Sequence, residues 1–578
     1  MYLKKTYRKE SGRTYLVIAQ KYREPNKKTS TDRTIKSLGY LDELEKEYSD
    51  PITHFKEIAR KMTDKEDAEK KVTLSFNMGE QLSQDTDDRK NFGYAAILKV
   101  YHELELNRFF NNKARHEDFQ FNTNSIMTLL IVSRMLSPGS KKKAFAERGR
   151  YFERFNFSLE DIYRSLSHFA KIAKEAQRHI HEQVTKKYGR DTKTIYYDVT
   201  NFYFEIDKED DFRKKGVCKE QRPNPIVQMG LAMDADGIPI AYEPFPGNTL
   251  DKETFRSVIG EVRKNYGTGR IIVVADKGLI TGDNIYYLTA GKNKNGYVFS
   301  FSIRGGSDDF KTYVLDNKGY VDEKDKDANT DATYKIKSRV TAREISVTMT
   351  NGKKTKKTVY EKQVVFYSKK YADKEKVERE KAVMKAMDLV SNPAKYNRAT
   401  SQGAAKYVKD IVYDKNTGEI LTNGCLPSFD FEKLAEEEKY DGYYAIVTSE
   451  LEMGDKEIID TYRGLWEIEE TFRIAKGDLE TRPIFLQRED RINAHLLTCF
   501  ISLVIIRVLQ KKTGRLYSSE KIIECLNHIS CSREQDNLYL FDYRTMISDA
   551  IGPAVGIDFT HKRMWLSDMK KILGDVKK

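Results

Sequence analysis

TKTIYYDVTNFYF, residues 192–204, is the stretch on which the reading of the chain turns. Its β-branched and aromatic side chains favour an extended strand. Asp198 stands inside it, flanked by Ile195, Tyr196, Tyr197 and Val199. A carboxylate on a buried central strand is costly unless a cation compensates it. Downstream, PIVQMGLAM (225–233) and IPIAYEPF (238–245) read as two more strands, joined through Asp234-Ala235-Asp236-Gly237, whose Asp-Gly step signals a hairpin. A helix is expected near 251–264. RIIVVAD (270–276) has the continuous apolar character of a strand buried on both faces and ends at Asp276. A helix near 281–291, capped by Thr281 or Asp283, and a fifth strand, GYVFSFSI (296–303), complete the run. The order β-β-β-α-β-α-β is the layout of a ribonuclease H-like domain.

On either side the texture differs. Residues 1–40 alternate in short runs and read as a small β-hairpin unit. From about 52 to 188 the pattern is helical, with segments near 92–105, 123–136, 140–150 and 158–188, and Ser137-Pro138-Gly139 breaks the second from the third. Residues 123–150 fit either a helix–turn–helix or a plain bundle. After the fifth strand some 150 residues intervene, with strand-like stretches (YKIKSRVTA, ISVTMT, VYEKQVVFYS, YYAIVTS) and one charged helix near 373–390. A β-rich insertion subdomain is the economical reading, because compact domains do not carry structureless loops of that length. Beyond 490, HLLTCFISLVIIRVL reads as a buried helix, followed by a mixed polar tail.

The expected organisation is therefore an N-terminal β-hairpin unit (1–50), a helical region (51–190) and the first part of an α/β, ribonuclease H-like core (191–304). The β-rich insertion (305–450), the rest of the core (451–510) and a C-terminal helical tail (511–578) follow.

With 88 acidic residues in the chain, position must single out the functional ones. Asp198 and Asp276 lie within or at the end of neighbouring apolar strands. A third acid comes from the helix DKEIIDTYRGLWEIEETFRIAK (455–476). Positions three, four and seven from Glu469 are Tyr462, Leu465, Trp466, Phe472, Arg473 and Lys476, a mostly apolar face expected to pack toward the sheet. Glu467 points nearly opposite, so its loss is expected to be mild. Three converging carboxylates without a Cys/His cluster indicate hard, oxygen-liganded Mg²⁺ or Mn²⁺. Two such ions about 4 Å apart suit in-line phosphoryl displacement. His179 and His181, two apart on a helix, diverge and read as surface residues.

The whole composition agrees with a multidomain chain that meets a polyanion. Its 578 residues carry 101 Lys+Arg against 88 Asp+Glu, a net charge of +13 and a pI near 9.0, with 39% hydrophobic residues and 11% aromatics. Basic clusters at Lys141–Lys143, Lys353–Lys357, Lys511–Lys512 and Lys577–Lys578 read either as phosphate contacts or as solvated faces. The N-terminus shows no secretory h-region, and the apolar run Leu496–Ile506 is too short to span a bilayer. Five scattered cysteines fit neither a disulfide framework nor a structural zinc site. A cytoplasmic, nucleoid-associated protein with no membrane contact is the expectation.

YYDVTNFYFE around Asp198, VVADKGL around Asp276 and YRGLWEIEETFRIAKGDLETRPIF around Glu469 resemble bacterial insertion-sequence transposases of the DDE type. The resemblance is closest to the branch with a Tyr-x2-Arg-x3-Glu-x6-Lys signature and a β-insertion before the glutamate helix. It extends to PGNTLDKETF (246–255) and RINAHLLTCFISLVII (491–506). It implies that Asp198, Asp276 and Glu469 bind two Mg²⁺ ions, with Mn²⁺ as a substitute. The implied activity is nicking at transposon ends and strand transfer to target DNA, by a homodimer that pairs terminal inverted repeats. Tyr462 and Lys476 match the first and last signature positions and by similarity contact DNA phosphates. Leu465 occupies the arginine position, so Arg463 or Arg473 is expected to substitute, with Lys277 a further DNA contact beside Asp276. A nuclease without strand transfer and a non-catalytic DNA-binding derivative are the alternatives.

Overall fold

The structure, a computed structural model, describes the 578-residue chain apart from residues 23–29, 70–74, 76–78, 80, 82–83, 85, 116, 221, 292–293, 325–332, 393–403, 405, 410–411, 414–419 and 422–427. Cys425 lies outside the described residues; Cys218, Cys499, Cys525 and Cys531 are free thiols. The chain forms two compact units, Met1–Thr86 and Asp87–Lys578. In the first, the expected hairpin gains a third strand: Tyr2–Arg8, Arg13–Tyr22 and Thr31–Tyr40 make an antiparallel sheet. Helices Leu41–Leu44 and Pro51–Glu69 follow, and Leu16, Leu44 and Phe55 form the unit's own core.

The second unit is built on a mixed sheet of nine strands among the described residues. Thr194–Tyr203 lies between Ile226–Met233 on one side and Ile272–Ala275 on the other. The first three strands in chain order, Thr194–Tyr203, Ile226–Met233 and Pro239–Pro246, form an antiparallel meander. Ile272–Ala275 and Gly296–Phe301 then extend the sheet in parallel from the other edge of Thr194–Tyr203. The hairpin turn brings Asp234 into a buried ion pair with Arg190, 2.8 Å apart.

The longer strands of the insertion continue this same sheet, while the short pairs Val408–Lys409/Ser428–Phe429 and Val412–Tyr413/Ile420–Leu421 stand apart from it. Tyr443–Thr448 pairs antiparallel with Gly296–Phe301, and the long hairpin Thr333–Thr348/Lys354–Tyr367 pairs onto Tyr443–Thr448. Two stretches read separately in the sequence, YKIKSRVTA and ISVTMT, are one strand.

Strand alternation decides which face Asp198 joins. Ile195, Tyr197 and Val199 pack with helices Asp251–Asn265 and Gly282–Thr289. Tyr196, Phe202 and Val274 pack on the opposite face with helices Asp455–Arg463, Trp466–Lys476 and Glu489–Lys512. The last of these is long and apolar enough by length and composition to cross a membrane, yet 94% of its most apolar window is buried inside the protein. It packs against helices Leu159–Lys171 and Thr123–Leu136, so its apolar character reflects a core position.

Three sequence expectations change here. The C-terminal tail is not only helical: Ser530–Arg533, Leu538–Phe541 and Arg563–Trp565 join Lys90–Asn91 in a four-stranded sheet. His181 is buried, with Arg190 Nη1 3.2 Å from its Nδ1 and Nε2 3.1 Å from the Tyr266 carbonyl, and burial pushes it down to about 4. His179 stacks on Phe109 instead of standing in solvent. Lys141, the first residue of a basic cluster, is buried with its ammonium 3.2 Å from His495 Nδ1, and burial pushes it down to about 7.

Candidate active site

The parallel register pairs Tyr196 with Val274, so two residues further along both strands Asp198 and Asp276 stand level. Adjacent strands lie about 4.8 Å apart, and both side chains belong to the helix-covered face. Asp198 is mostly shielded. Burial pushes its carboxyl above the usual range, Asp251 and Asp276 push it further, and Lys219 pulls it back. The Lys219 ammonium lies 3.6 Å from Asp198 Oδ2 and donates to the Val199 carbonyl at 2.5 Å. Asp251, in the PGNTLD stretch, is likewise pushed up by burial and pulled down by Lys219.

Asp276 is more exposed and more tightly held. It caps a short turn, Lys277–Leu279, and its Oδ1 accepts from the Lys277 N–H at 2.7 Å and the Ser300 hydroxyl at 2.6 Å. The Tyr462 hydroxyl reaches the same oxygen at 3.5 Å and bonds to the Tyr444 hydroxyl at 2.8 Å. Both phenols are pushed up, chiefly by burial. Tyr462 therefore touches an acid of the site.

The glutamate helix is broken. Asp455–Arg463 and Trp466–Lys476 are separate helices, because the Gly464–Leu465 turn sits against the sheet. A Cβ at Gly464 would lie 2.2 Å from the Tyr196 hydroxyl, which itself donates to the Thr461 carbonyl at 2.9 Å. At the other end of the second helix, the Lys476 ammonium lies 5.9 Å from the Phe202 ring centroid. Tyr196 and Phe202 bracket Asp198 on one strand face, so the middle of this helix, with Glu469, runs past Asp198.

Glu469 is exposed, with Leu465 and Phe472 buried either side of it. Trp466, counted on the packed face, is 55% exposed: the helix Trp466–Lys476 buries Ile468, Thr471, Phe472 and Ala475, and Trp466, Glu469 and Arg473 lie outside that stripe. Among the described residues, no group of three or more His, Cys, Asp or Glu stands close enough to hold a metal ion. Asp198 and Asp276 are brought together, and the helix that carries Glu469 runs past Asp198.

Glu467 is not the bystander its phase suggested. It is buried and paired with Arg507 at 3.3 Å and Arg515 at 2.8 Å, and Arg507 also binds Glu470 at 3.2 Å and the Thr471 hydroxyl. These bonds fix the rotation of the helix. The expected arginine substitutes do not converge: Arg473 pairs with Glu470 at 3.6 Å, and Arg463 lies over the Tyr334 ring at 5.4 Å and near Asp460. Lys277 contributes its backbone N–H to Asp276.

Lys476 meets a residue that no sequence pattern marks. Glu220 binds the Lys476 ammonium at 2.9 Å and Arg482 at 2.7 Å. Burial pushes Lys476 down while Glu220 pulls it up. Lys219, Glu220 and Arg482 lie in stretches without periodicity, so no local pattern marks them; Asp251 at least falls in a stretch the resemblance covers.

Residues 189–505 match the transposase DDE domain, and since that match covers more than half of the chain, the protein belongs to the DDE transposase family. Residues 3–72 match the N-terminal domain of IS1634 family transposases, which makes it a transposase of the insertion-sequence type. It is an enzyme of DNA cleavage and strand transfer; the family acts on DNA and uses divalent metal ions. No curated protein matches. Among solved structures, the piggyBac transposase synaptic complex with hairpin DNA is similar over 84% of this chain and 86% of that one, at 9% identity and a TM-score of 0.33, too slight to carry an argument.

Proposed function

We propose that Asp198, Asp276 and Glu469 are the catalytic acids of this transposase, on a ribonuclease H-like core. The order of the five core strands supports that fold: numbered along the chain they lie 3-2-1-4-5, the first three antiparallel and the last two parallel to the first. The observation that carries the site is the level pair Asp198 and Asp276 on one sheet face, with Asp198 shielded from solvent. Two acids so placed repel each other, and an all-oxygen donor set fits hard divalent ions.

Asp198 and Asp276 would hold two Mg²⁺, or Mn²⁺ in their place, with Glu469 as the third ligand once the helix face closes on them. The ions would supply Lewis acidity for activating a water or 3′-hydroxyl at a phosphodiester. The chain's own residues do the positioning. Ser300 and the Lys277 N–H hold Asp276 in one rotamer, leaving its second oxygen for a ligand. Arg507 fixes the phase that presents Glu469. Lys476 supplies a cation for the DNA backbone about two turns beyond the glutamate, and Tyr462 a phenol at the opposite end. Terminal inverted repeats and target DNA are the substrates, handled by a homodimer because two ends must be paired, in the cytoplasm where the DNA lies.

An excision assay tests this. The gene with its native flanks is placed on a plasmid, and the donor junction is amplified from cells carrying wild type, Asp198→Ala or Glu469→Gln. Loss of the flanked segment with wild type only is expected. Excision by Asp198→Ala would overturn the assignment.

A further inference from the structure

Between the strands Thr194–Tyr203 and Ile226–Met233 the chain makes an irregular excursion whose base is firmly built. Phe212 is buried, and Asp210 accepts the N–H groups of Phe212 and Arg213 and the Arg213 guanidinium. Lys214 and Ile226 exchange backbone hydrogen bonds. Gly216 lies so close to Gly247 that a Cβ would sit 2.0 Å from the Gly247 carbonyl oxygen. Asn201 then donates to the Val217 carbonyl at 3.1 Å, and on the return Asn224 donates to the Ile206 carbonyl. The tip between these anchors carries two adjacent, oppositely charged residues. Lys219 is 3.6 Å from Asp198, and Glu220 bridges Lys476 and Arg482. Arg222 and Arg482 both lie over the Tyr203 ring, at 4.1 and 5.1 Å.

We propose that this tip is an internal occupant of the active site: Lys219 stands where a cation belongs against Asp198, Glu220 stands where a DNA phosphate belongs on Lys476 and Arg482, and loading displaces both together. The proposal rests on the reading of Asp198 as a metal ligand and Lys476 as a DNA contact. The two contacts point the same way independently. A lysine opposite a desolvated carboxylate and a carboxylate across a Lys–Arg pair each complement what the substrate complex would bring. Neighbouring positions on a short tip make the two events one movement. Lys219 is half exposed, so its pair with Asp198 is weak enough to exchange, and the anchored base keeps the tip close. Once displaced, Lys476 and Arg482 are freed for the phosphodiester backbone and Lys219 is turned from a competitor of the cation into a further positive charge beside the DNA.

The full-length protein tests this in three measurements. Binding of a fluorescein-labelled DNA duplex without metal, followed by anisotropy across a salt series, should tighten about fivefold in Glu220→Gln, the equivalent of losing one competing ion pair. The salt dependence should steepen by about one to two released counterions, because Lys476 and Arg482 are no longer neutralised from within. Mn²⁺ affinity, read from the free-ion electron paramagnetic resonance signal, should rise severalfold in Lys219→Met. In wild type, residues 217–220, 222 and 224 should lose hydrogen-exchange protection when duplex and Mn²⁺ are added together. Unchanged or weaker duplex binding by Glu220→Gln, unchanged or weaker Mn²⁺ binding by Lys219→Met, or unaltered protection of the tip would each overturn the proposal. Thermal melting of each variant shows that it is folded, and the exchange experiment needs no variant. Asp198→Asn separates the two levels. Mn²⁺ lost in Asp198→Asn but not gained in Lys219→Met rejects the tip alone; Mn²⁺ retained in Asp198→Asn rejects the metal site and the tip with it.

Discussion

Glu467 and Glu469 are two residues apart on one helix and face opposite demands. Glu467 is buried between Arg507 and Arg515, and removing it strands their charges. Glu467→Ala should therefore cost about 2–4 kcal/mol, seen as a clear drop in melting temperature. Glu469→Gln, at an exposed position, should melt within a degree or so of wild type while abolishing excision. Equal melting of the two variants would refute this division. Lys141 supplies a pH signature. Its folded pKa is about 7 against 10.5 for the free group, so between those values the unfolded chain holds a proton that the native protein lacks. Native stability from this group is then lost as pH falls toward 7 and gained as pH rises. Lys141→Met should be stabilised relative to wild type near pH 7, and the gap should narrow by pH 9; a constant gap would show that the lysine is not buried uncharged. Asp198 was legible in the sequence because a lone acid inside a β-branched and aromatic run has little other reason to be there. Lys219, Glu220 and His181 were not, because their partners are set by tertiary contacts that no local spacing encodes.

At the scale of elements, the instructive case is the break at Gly464–Leu465. A 3.6-residue count carried from Glu469 back to Tyr462 crosses it, whereas Trp466 lies on the unbroken side, exposed with Glu469 and Arg473 because the buried stripe of that helix runs through Ile468, Thr471, Phe472 and Ala475. The two anchors of the face nonetheless fell where the count put them, with Tyr462 at Asp276 and Lys476 beside Phe202. Gly464→Ala tests the break itself. The added methyl meets the Tyr196 hydroxyl, so the turn must move off the strand. A cost of about 1–3 kcal/mol is expected, with excision impaired more than duplex binding; wild-type excision would show that the turn's closeness to the strand is dispensable. Helix Thr123–Leu136 fell on its expected residues because its apolar run is bounded by a polar cap and a Pro-Gly break. The insertion's strands were visible as strands, but their place in the central sheet was not. Pairing between Gly296–Phe301 and Tyr443–Thr448 spans well over a hundred residues and leaves no local trace.

For the molecule as a whole, a net charge of +13 spread over both signs makes DNA affinity a function of salt. Duplex binding by the full chain should fall by about tenfold or more between 50 and 200 mM salt; insensitivity to salt would remove the case for a phosphate-lined interface. The two compact units have separate cores, so residues 87–578 expressed alone should melt cooperatively close to the temperature of the main transition of the full chain. Loss of that transition would show that Met1–Thr86 is required for the rest to fold.

The long detour of the chain between Asp276 and Glu469 also has a bearing on synthesis. Roughly 190 residues separate Asp276 from Glu469, which at about 5–20 residues per second is about ten to forty seconds of translation. Throughout that interval a growing polypeptide already displays both aspartates but lacks the glutamate of the proposed triad. The strand Tyr443–Thr448, which brings the chain back alongside Gly296–Phe301, also emerges late. A ribosome-bound or prematurely terminated product is thus unarmed, and the element's host is spared stray cuts from every unfinished copy.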